Sequence, residues 1–145
     1  MSNYFHDVGE FHRKFAIPAY DPRDLCAFPS DEIVDYRVKF LEEELTELKK
    51  AIAERDLPEV LDALADIAYV AFGTAHYFNA PFADVWAEVQ RANMDRVKVT
   101  RENCPPDKQY RPDLVVKPPG WKGPQIAHII DRHNGFARRM VRRPR

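Results

Sequence analysis

From Val34 to Ile52, the apolar residues Val34, Val38, Leu41, Leu45, Leu48 and Ile52 recur at alternating spacings of four and three. That period draws one stripe along an α-helix and does not suit the two-residue period of a strand. Ser30 or Asp31 can cap such a helix, which the spacing predicts to run to about Arg55 and to pack against another helix. Asp56 offers the next cap, with Pro58 in a first turn that tolerates it. The helix it opens carries Leu61, Leu64, Ala65, Ala68, Ala71 and Phe72, a narrow face of mostly small side chains that admits a close neighbour. Upstream, Phe5, Val8, Phe11 and Phe15 predict a short amphipathic helix ending before Pro18, followed by an irregular linker through Pro18, Pro22 and Pro29. Pro81 opens a fourth helix with Phe82, Val85, Trp86 and Val89, continuing to about Val97. Beyond Thr100 the helical pattern is lost until about Gln125. Seven of the 12 prolines lie past residue 104, and Val115 to Gly123 reads as a short strand or an extended arm. No internal repeat and no alternation capable of a large sheet are present. The expected architecture is an all-α helical bundle with an irregular, Pro-rich C-terminal extension: residues 1–125 form one domain and 126–145 a basic tail.

With 45% hydrophobic and 12% aromatic residues in 145, one core-forming domain is expected rather than a disordered, collagen-like or disulfide-scaffold chain. Ile67 to Tyr77 is the longest uncharged apolar stretch, too short and too polar to span a bilayer. The N-terminal Met1 to Asp7 has neither the basic start nor the apolar run of a secretory signal. Cys26 and Cys104 lie far apart without metal or redox spacing, as expected of free thiols in a reducing cytoplasm. The net charge of −1 divides into −6 before residue 126 and +5 after it. An acidic body of this kind disfavours a stable nucleic-acid complex. The arginine-rich end reads as a solvated tail or as one packed on a neighbouring subunit.

Chemistry concentrates in two acidic segments. In Leu41-Glu42-Glu43-Glu44-Leu45-Thr46-Glu47-Leu48, Glu44 and Glu47 lie one turn apart beside the apolar stripe, and Glu43 is nearer to Glu47 than Glu42 is. In the next helix, Glu59, Asp62 and Asp66 follow one ridge, and Asp66 is set among Ala65, Ile67, Ala68 and Tyr69. A carboxylate in such surroundings is costly unless something pairs with it. Two facing helices with inward carboxylates make a hard-oxygen cage suited to Mg²⁺ or Mn²⁺. Without a Cys/His cluster, His-Glu-x-x-His or Glu-x-x-His pairs, softer-metal and di-iron readings are disfavoured. The plainer reading is an acidic face solvated or paired with Lys49 and Lys50, with Glu59 complementing the helix dipole.

The order of these segments resembles the MazG-like all-α nucleoside triphosphate pyrophosphohydrolases, in particular their short bacterial and phage forms. The resemblance rests on Glu43-Glu44-Leu45-Thr46-Glu47, then Asp62-Ala63-Leu64-Ala65-Asp66, then Asn93-Met94-Asp95-Arg96 and Lys117-Pro118-Pro119-Gly120-Trp121. Ala63 stands where the family usually has Glu, so Asp62 has to supply the second carboxylate of that helix. The resemblance implies cleavage between the α and β phosphates, giving a nucleoside monophosphate and pyrophosphate. It implies about two or three Mg²⁺ or Mn²⁺ ions per site. Their principal ligands would be Glu44, Glu47 and Asp66, supplemented by Asp62, with Glu43 or Glu47 orienting or deprotonating the water. It further implies nucleotide contacts from Asn93 and Arg96, with Lys98 just beyond; an Asn cap and a helix-end Arg or Lys complementing the dipole are the alternative.

Lys117 and Trp121 can close over a substrate from the Pro-rich arm; Trp121 as a packing anchor between subunits is the alternative. Tyr69, three residues after Asp66, can steady a ligand or touch the sugar, or be a buried structural tyrosine. The five histidines do not cluster by spacing and carry no assigned role, and no phosphate-binding glycine loop exists. The small-residue faces, partly uncovered in a lone bundle, point to a homodimer or homotetramer. The resemblance to the phage forms further implies a guanine nucleotide, dGTP or GTP, as the substrate, in modified-purine precursor supply. The expected location is the cytoplasm, the host's if the chain is phage-encoded. A non-enzymatic helical adaptor is the main rival. A His-Asp phosphohydrolase has only His6-Asp7 in its favour.

Overall fold

The computed structural model describes residues 3–141. Met1, Ser2 and the final Arg142, Arg143, Pro144 and Arg145 of the basic tail lie outside the described residues. In chain order the elements are α1 (Tyr4–Lys14), α2 (Asp31–Glu54), α3 (Leu57–Tyr77), α4 (Phe82–Met94), β1 (Val97–Lys98), β2 (Val115–Val116) and α5 (Ile126–Val141). The all-α class stands. Helix starts follow the capping chemistry: Asn3 accepts from the His6 N–H, Ser30 from Ile33 and Asp56 from Glu59. Arg55 ends α2 in the left-handed region at φ 59°, so the chain doubles back into α3 through two residues. The described residues divide into two units, those up to residue 82 with those from 130 onward, and residues 83–129.

The first unit is built on the α2–α3 hairpin, with α1 packed on α3. Its seam differs from the predicted stripe. Val38, Leu45 and Ile52 are 49%, 44% and 53% exposed, whereas Arg37, Glu44 and Ala51 are buried. Facing them, α3 buries Ala63, Val70 and Gly73, while Leu61 and Leu64 stay exposed. The small side chains of α3 leave room for the long stems of Arg37 and Glu44, so both helices turn their larger aliphatic residues outward. The linker between α1 and α2 has its backbone satisfied by side chains. Asn79 donates to the carbonyls of Asp21 and Asp24 and accepts from the Asp21 N–H. Asn134 exchanges two hydrogen bonds with Cys26. Residues expected as a tail therefore form a helix, α5, in which His133 and Ala137 are buried.

In the second unit, α4 ends at Met94, before the expected Val97, because Val97 and Lys98 pair antiparallel with Val116 and Val115. Ala92, Val99, Val116 and Ile129 are its buried residues. The indole Nε1–H of Trp121 donates to the Ala92 carbonyl at 2.7 Å and pins the Pro-rich segment to α4. The Gln125 N–H donates to Glu88 at 3.0 Å, fastening the approach to α5.

Candidate active site

The antiparallel hairpin sets Glu43, Glu44 and Glu47 of α2 against Asp62 and Asp66 of α3. Glu44 is 8% exposed, and the other four are exposed. Burial pushes the Glu44 carboxyl above the usual carboxylate range. Asp66, Glu47, Glu43 and Asp62, in falling order, push it the same way. Four of the carboxylates singled out in the sequence, Glu43, Glu47, Asp62 and Asp66, are thus within electrostatic reach of the buried Glu44. Asp66 was expected to be embedded in apolar surroundings and is instead exposed. The carboxylate taken from water is Glu44, because its α2 position faces the small-residue side of α3. Beside them, Lys39, Glu42, Glu43, Thr46 and Glu47 line a shallow groove on α2.

The donor set suits a hard divalent cation. It is all carboxylate oxygen, and among the described residues no lysine or arginine forms an ion pair with any of the five. Lys49 and Lys50 therefore do not neutralise this face. Among the described residues, only His6, Asp7 and Glu10 of α1 bring three donor atoms within 4.8 Å of one another, all of them exposed.

The predicted nucleotide contacts lie in the second unit. Asn93 is exposed in the last turn of α4, and Arg96 follows the helix. The Arg96 guanidinium stands 5.5 Å from the centre of the Trp121 ring, and the Lys117 ammonium 4.7 Å from it. Arg96 Nε is buried without a hydrogen-bond partner, an unmet donor beside a second cation. Lys98 is exposed on β1. Trp121 anchors this unit within one chain, through its bond to Ala92. Tyr69 is 41% exposed and sets its ring edge-on to Phe11 at 5.6 Å. Burial and then Asp7 raise its pKa, so α1 is the neighbour it meets.

Sequence reasoning missed the buried polar residues of the first unit. His12, His76 and His133 are 4%, 3% and 8% exposed, and Arg37 is 7%. His76 accepts at Nδ1 from the Tyr20 N–H and donates from Nε2 to the Phe5 carbonyl, both at 2.9 Å. His12 donates from Nδ1 to Pro18 O at 2.6 Å, and His133 from Nε2 to Asp24 O at 2.9 Å. The available signal was a pair of glycines inside helices, Gly9 and Gly73, where glycine ordinarily costs stability. A β-carbon at Gly73 would meet Arg37 at 3.0 Å and His12 Nε2 at 3.1 Å.

Comparison with known proteins identifies the family. Uncharacterized protein L479 of Acanthamoeba polyphaga mimivirus is 37% identical over 75 residues, which cover 51% of this chain and 30% of that protein. The chain thus spans under a third of that relative's length. The model of the phosphoribosyl-ATP pyrophosphohydrolase family matches residues 8–93, which hold α2, α3, the greater part of α1 and all five carboxylates. The chain belongs to the phosphoribosyl-ATP pyrophosphohydrolase family, a family of nucleotide pyrophosphohydrolases.

Proposed function

We propose that the protein hydrolyses the α–β anhydride of a nucleoside triphosphate, releasing a nucleoside monophosphate and pyrophosphate. The observation that carries the reading is the gathering of Glu43, Glu47, Asp62 and Asp66 around the buried Glu44. Glu44, Glu47 and Asp66, with Asp62, would hold Mg²⁺ or Mn²⁺, about two or three ions per site. Bound divalent ions supply charge neutralisation of the triphosphate and a lowered pKa for the attacking water. Glu43 or Glu47 takes the proton of that water as its oxygen bonds to the α-phosphorus. The bond from the α-phosphorus to the bridging oxygen breaks, and pyrophosphate departs with that oxygen. Asn93, Arg96, Lys98 and Lys117 would bind the nucleotide, with Trp121 holding the two cations in place. The unmet Arg96 Nε donor supports an anionic ligand.

The preferred base is guanine, as dGTP or GTP. The family's name supplies a second candidate, phosphoribosyl-ATP, which carries the same triphosphate. The exposed stripes Val38–Leu45–Ile52 and Leu57–Leu61–Leu64 further suit a second copy of the chain, giving a homodimer or homotetramer. Working in a cytoplasm, phage-infected or not, on modified-purine precursors fits the same reading.

The test is product analysis by ion-exchange chromatography after incubation with the common NTPs and dNTPs and with phosphoribosyl-ATP, with and without Mg²⁺ or Mn²⁺. Monophosphate plus pyrophosphate, formed only with metal, is expected, and fastest from a guanine nucleotide. Turnover of phosphoribosyl-ATP alone would reassign the substrate. No turnover by the folded protein would leave a helical adaptor as the better account.

A further inference from the structure

The α2–α3 hairpin is held at two places, with the carboxylates between them. One is the covalent turn at Arg55 and Asp56. The other is Arg37, near the open end. Its Nε–H donates to Thr74 Oγ1 at 3.1 Å and its Nη2–H to the Val70 carbonyl at 2.8 Å. Thr74 Oγ1–H donates to the same carbonyl at 2.8 Å. Around the guanidinium stand the rings of Phe40, Tyr77 and Tyr36, at 5.2, 5.4 and 5.9 Å. Gly73 makes this approach possible, since a β-carbon there would press on Arg37 at 3.0 Å.

The spacing links this residue to the site. Arg37 lies two turns before Glu44 on the same buried face of α2. In an antiparallel pair, two turns back on α2 correspond to nearly two turns forward on α3. Counting forward from Asp66 arrives between Val70 and Thr74, the two groups that Arg37 binds. One helix register therefore satisfies both the Arg37 clamp and the meeting of Glu44 and Glu47 with Asp66 and Asp62. A charged residue is costly to bury among aromatic rings without a carboxylate, and an apolar side chain would fill the same space.

We propose that Arg37 is a positioning residue: it clamps the open end of the hairpin and so holds α2 and α3 in the register that gathers their carboxylates around Glu44, from which they can close on a metal ion. This rests on the hydrolase reading above, and the experiment separates the two. Mn²⁺ binding is followed by electron paramagnetic resonance, well below the melting temperature, for wild type, Arg37→Gln and Arg37→Lys. In parallel, spin labels at Lys39→Cys and Ala71→Cys, in a Cys26→Ser/Cys104→Ser background diluted with unlabelled chain, report the spacing of the open end. Arg37→Gln is expected to weaken Mn²⁺ binding about tenfold or more, as loss of a supporting partner around a metal site does. The label distances should broaden or lengthen together with that loss. Arg37→Lys, which keeps the charge but can satisfy only part of the fork, should fall between. It also serves as the decisive variant if Arg37→Gln does not fold. A folded variant with unchanged distances, or with changed distances and unaltered Mn²⁺ affinity, would overturn the proposal. Wild type that fails to bind Mn²⁺ would count against the hydrolase reading, and the label distances would still decide the clamp.

Discussion

A β-carbon placed on Gly9 would stand 2.8 Å from Cε1 of His76. The imidazole has no room to yield: it is bonded at both nitrogens, to Tyr20 and to Phe5, and stacked on the Phe5 ring at 4.0 Å. Alanine in mid-helix ordinarily gains about 1 kcal/mol over glycine. Here Gly9→Ala is expected to lose about 1–3 kcal/mol by overpacking, lowering Tm by several degrees. The loss should largely vanish when the same change is made in a His76→Ala background, read as a double-mutant cycle by urea denaturation.

The same imidazole makes stability depend on pH. With Nδ1 accepting from a backbone N–H, a second proton on the ring would face a donor. Burial chiefly, and then His12 and Arg13, hold the His76 pKa below 6.5, against the opposing pull of the Phe5 carbonyl. The unfolded chain takes up this proton near pH 6.5 and the native chain resists it, so the contribution is complete above that pH and is lost as pH falls below it. The urea midpoint is expected to drop between about pH 7.5 and about pH 5.5. His76→Gln should make that drop smaller, and an equal drop in the variant would assign it to other groups.

The helices were legible because caps and periodicity are local. Ser30, Asp56 and Pro58 place the starts of α2 and α3 within a residue or two, and the periodicity places the end of α2 equally closely. The choice of face was not legible. Hydrophobicity alone puts Val38, Leu45 and Ile52 inward, yet the small residues of α3 admit Arg37 and Glu44 instead. That depends on the partner helix, which a stripe on one helix does not encode. The gathering of the α2 and α3 carboxylates was legible because helical spacing puts each set on one side of its own helix. The histidines were not, because Phe5, Tyr20 and His76 meet only in three dimensions.

The outward aliphatic stripes set up a test of assembly. Leu57, Leu61 and Leu64 are 65%, 59% and 48% exposed along one side of α3. Leu61→Glu places a charge in that stripe without touching the buried Ala63 or Val70. In light scattering coupled to size exclusion, wild type should run as a dimer or tetramer and the variant at a lower mass, with unchanged helix content. A monomeric wild type at working concentrations would remove the second copy from the account.

Trp121 bears a load that does not depend on its meeting a substrate. Its N–H bonds Ala92, the most buried residue of α4, and its ring carries Arg96 and Lys117. Trp121→Ala is expected to destabilise by about 2–3 kcal/mol, near or below the low end of large-to-small aromatic truncations because the ring is only half buried. Trp121→Phe retains the ring faces and loses the bond, so it should cost about 1 kcal/mol. If the two cations bind phosphate, KM rises in Trp121→Ala at a temperature where the variant remains folded. An unchanged KM would leave the residue a purely structural anchor.

Glu44 and Asp66 carry the sharpest prediction, because fold and function oppose each other there. Glu44 is buried beside four like charges, Asp66 being the strongest of them, and no basic side chain among the described residues offsets it. Glu44→Gln keeps the shape and removes the repelled charge, so without metal the variant should be at least as stable as wild type. With metal the order reverses: an ion that binds only the native state adds about 2.7 kcal/mol at a hundred times its dissociation constant, and the variant lacks a principal ligand. Melting in EDTA and then in millimolar Mn²⁺ should therefore raise Tm clearly for wild type and little for Glu44→Gln. Asp66→Asn and Glu47→Gln should behave in the same direction, with activity abolished and helix content retained. The reverse pattern, variants weakened in EDTA yet still stabilised by Mn²⁺, would mean that these carboxylates support the hairpin and leave the metal to other residues.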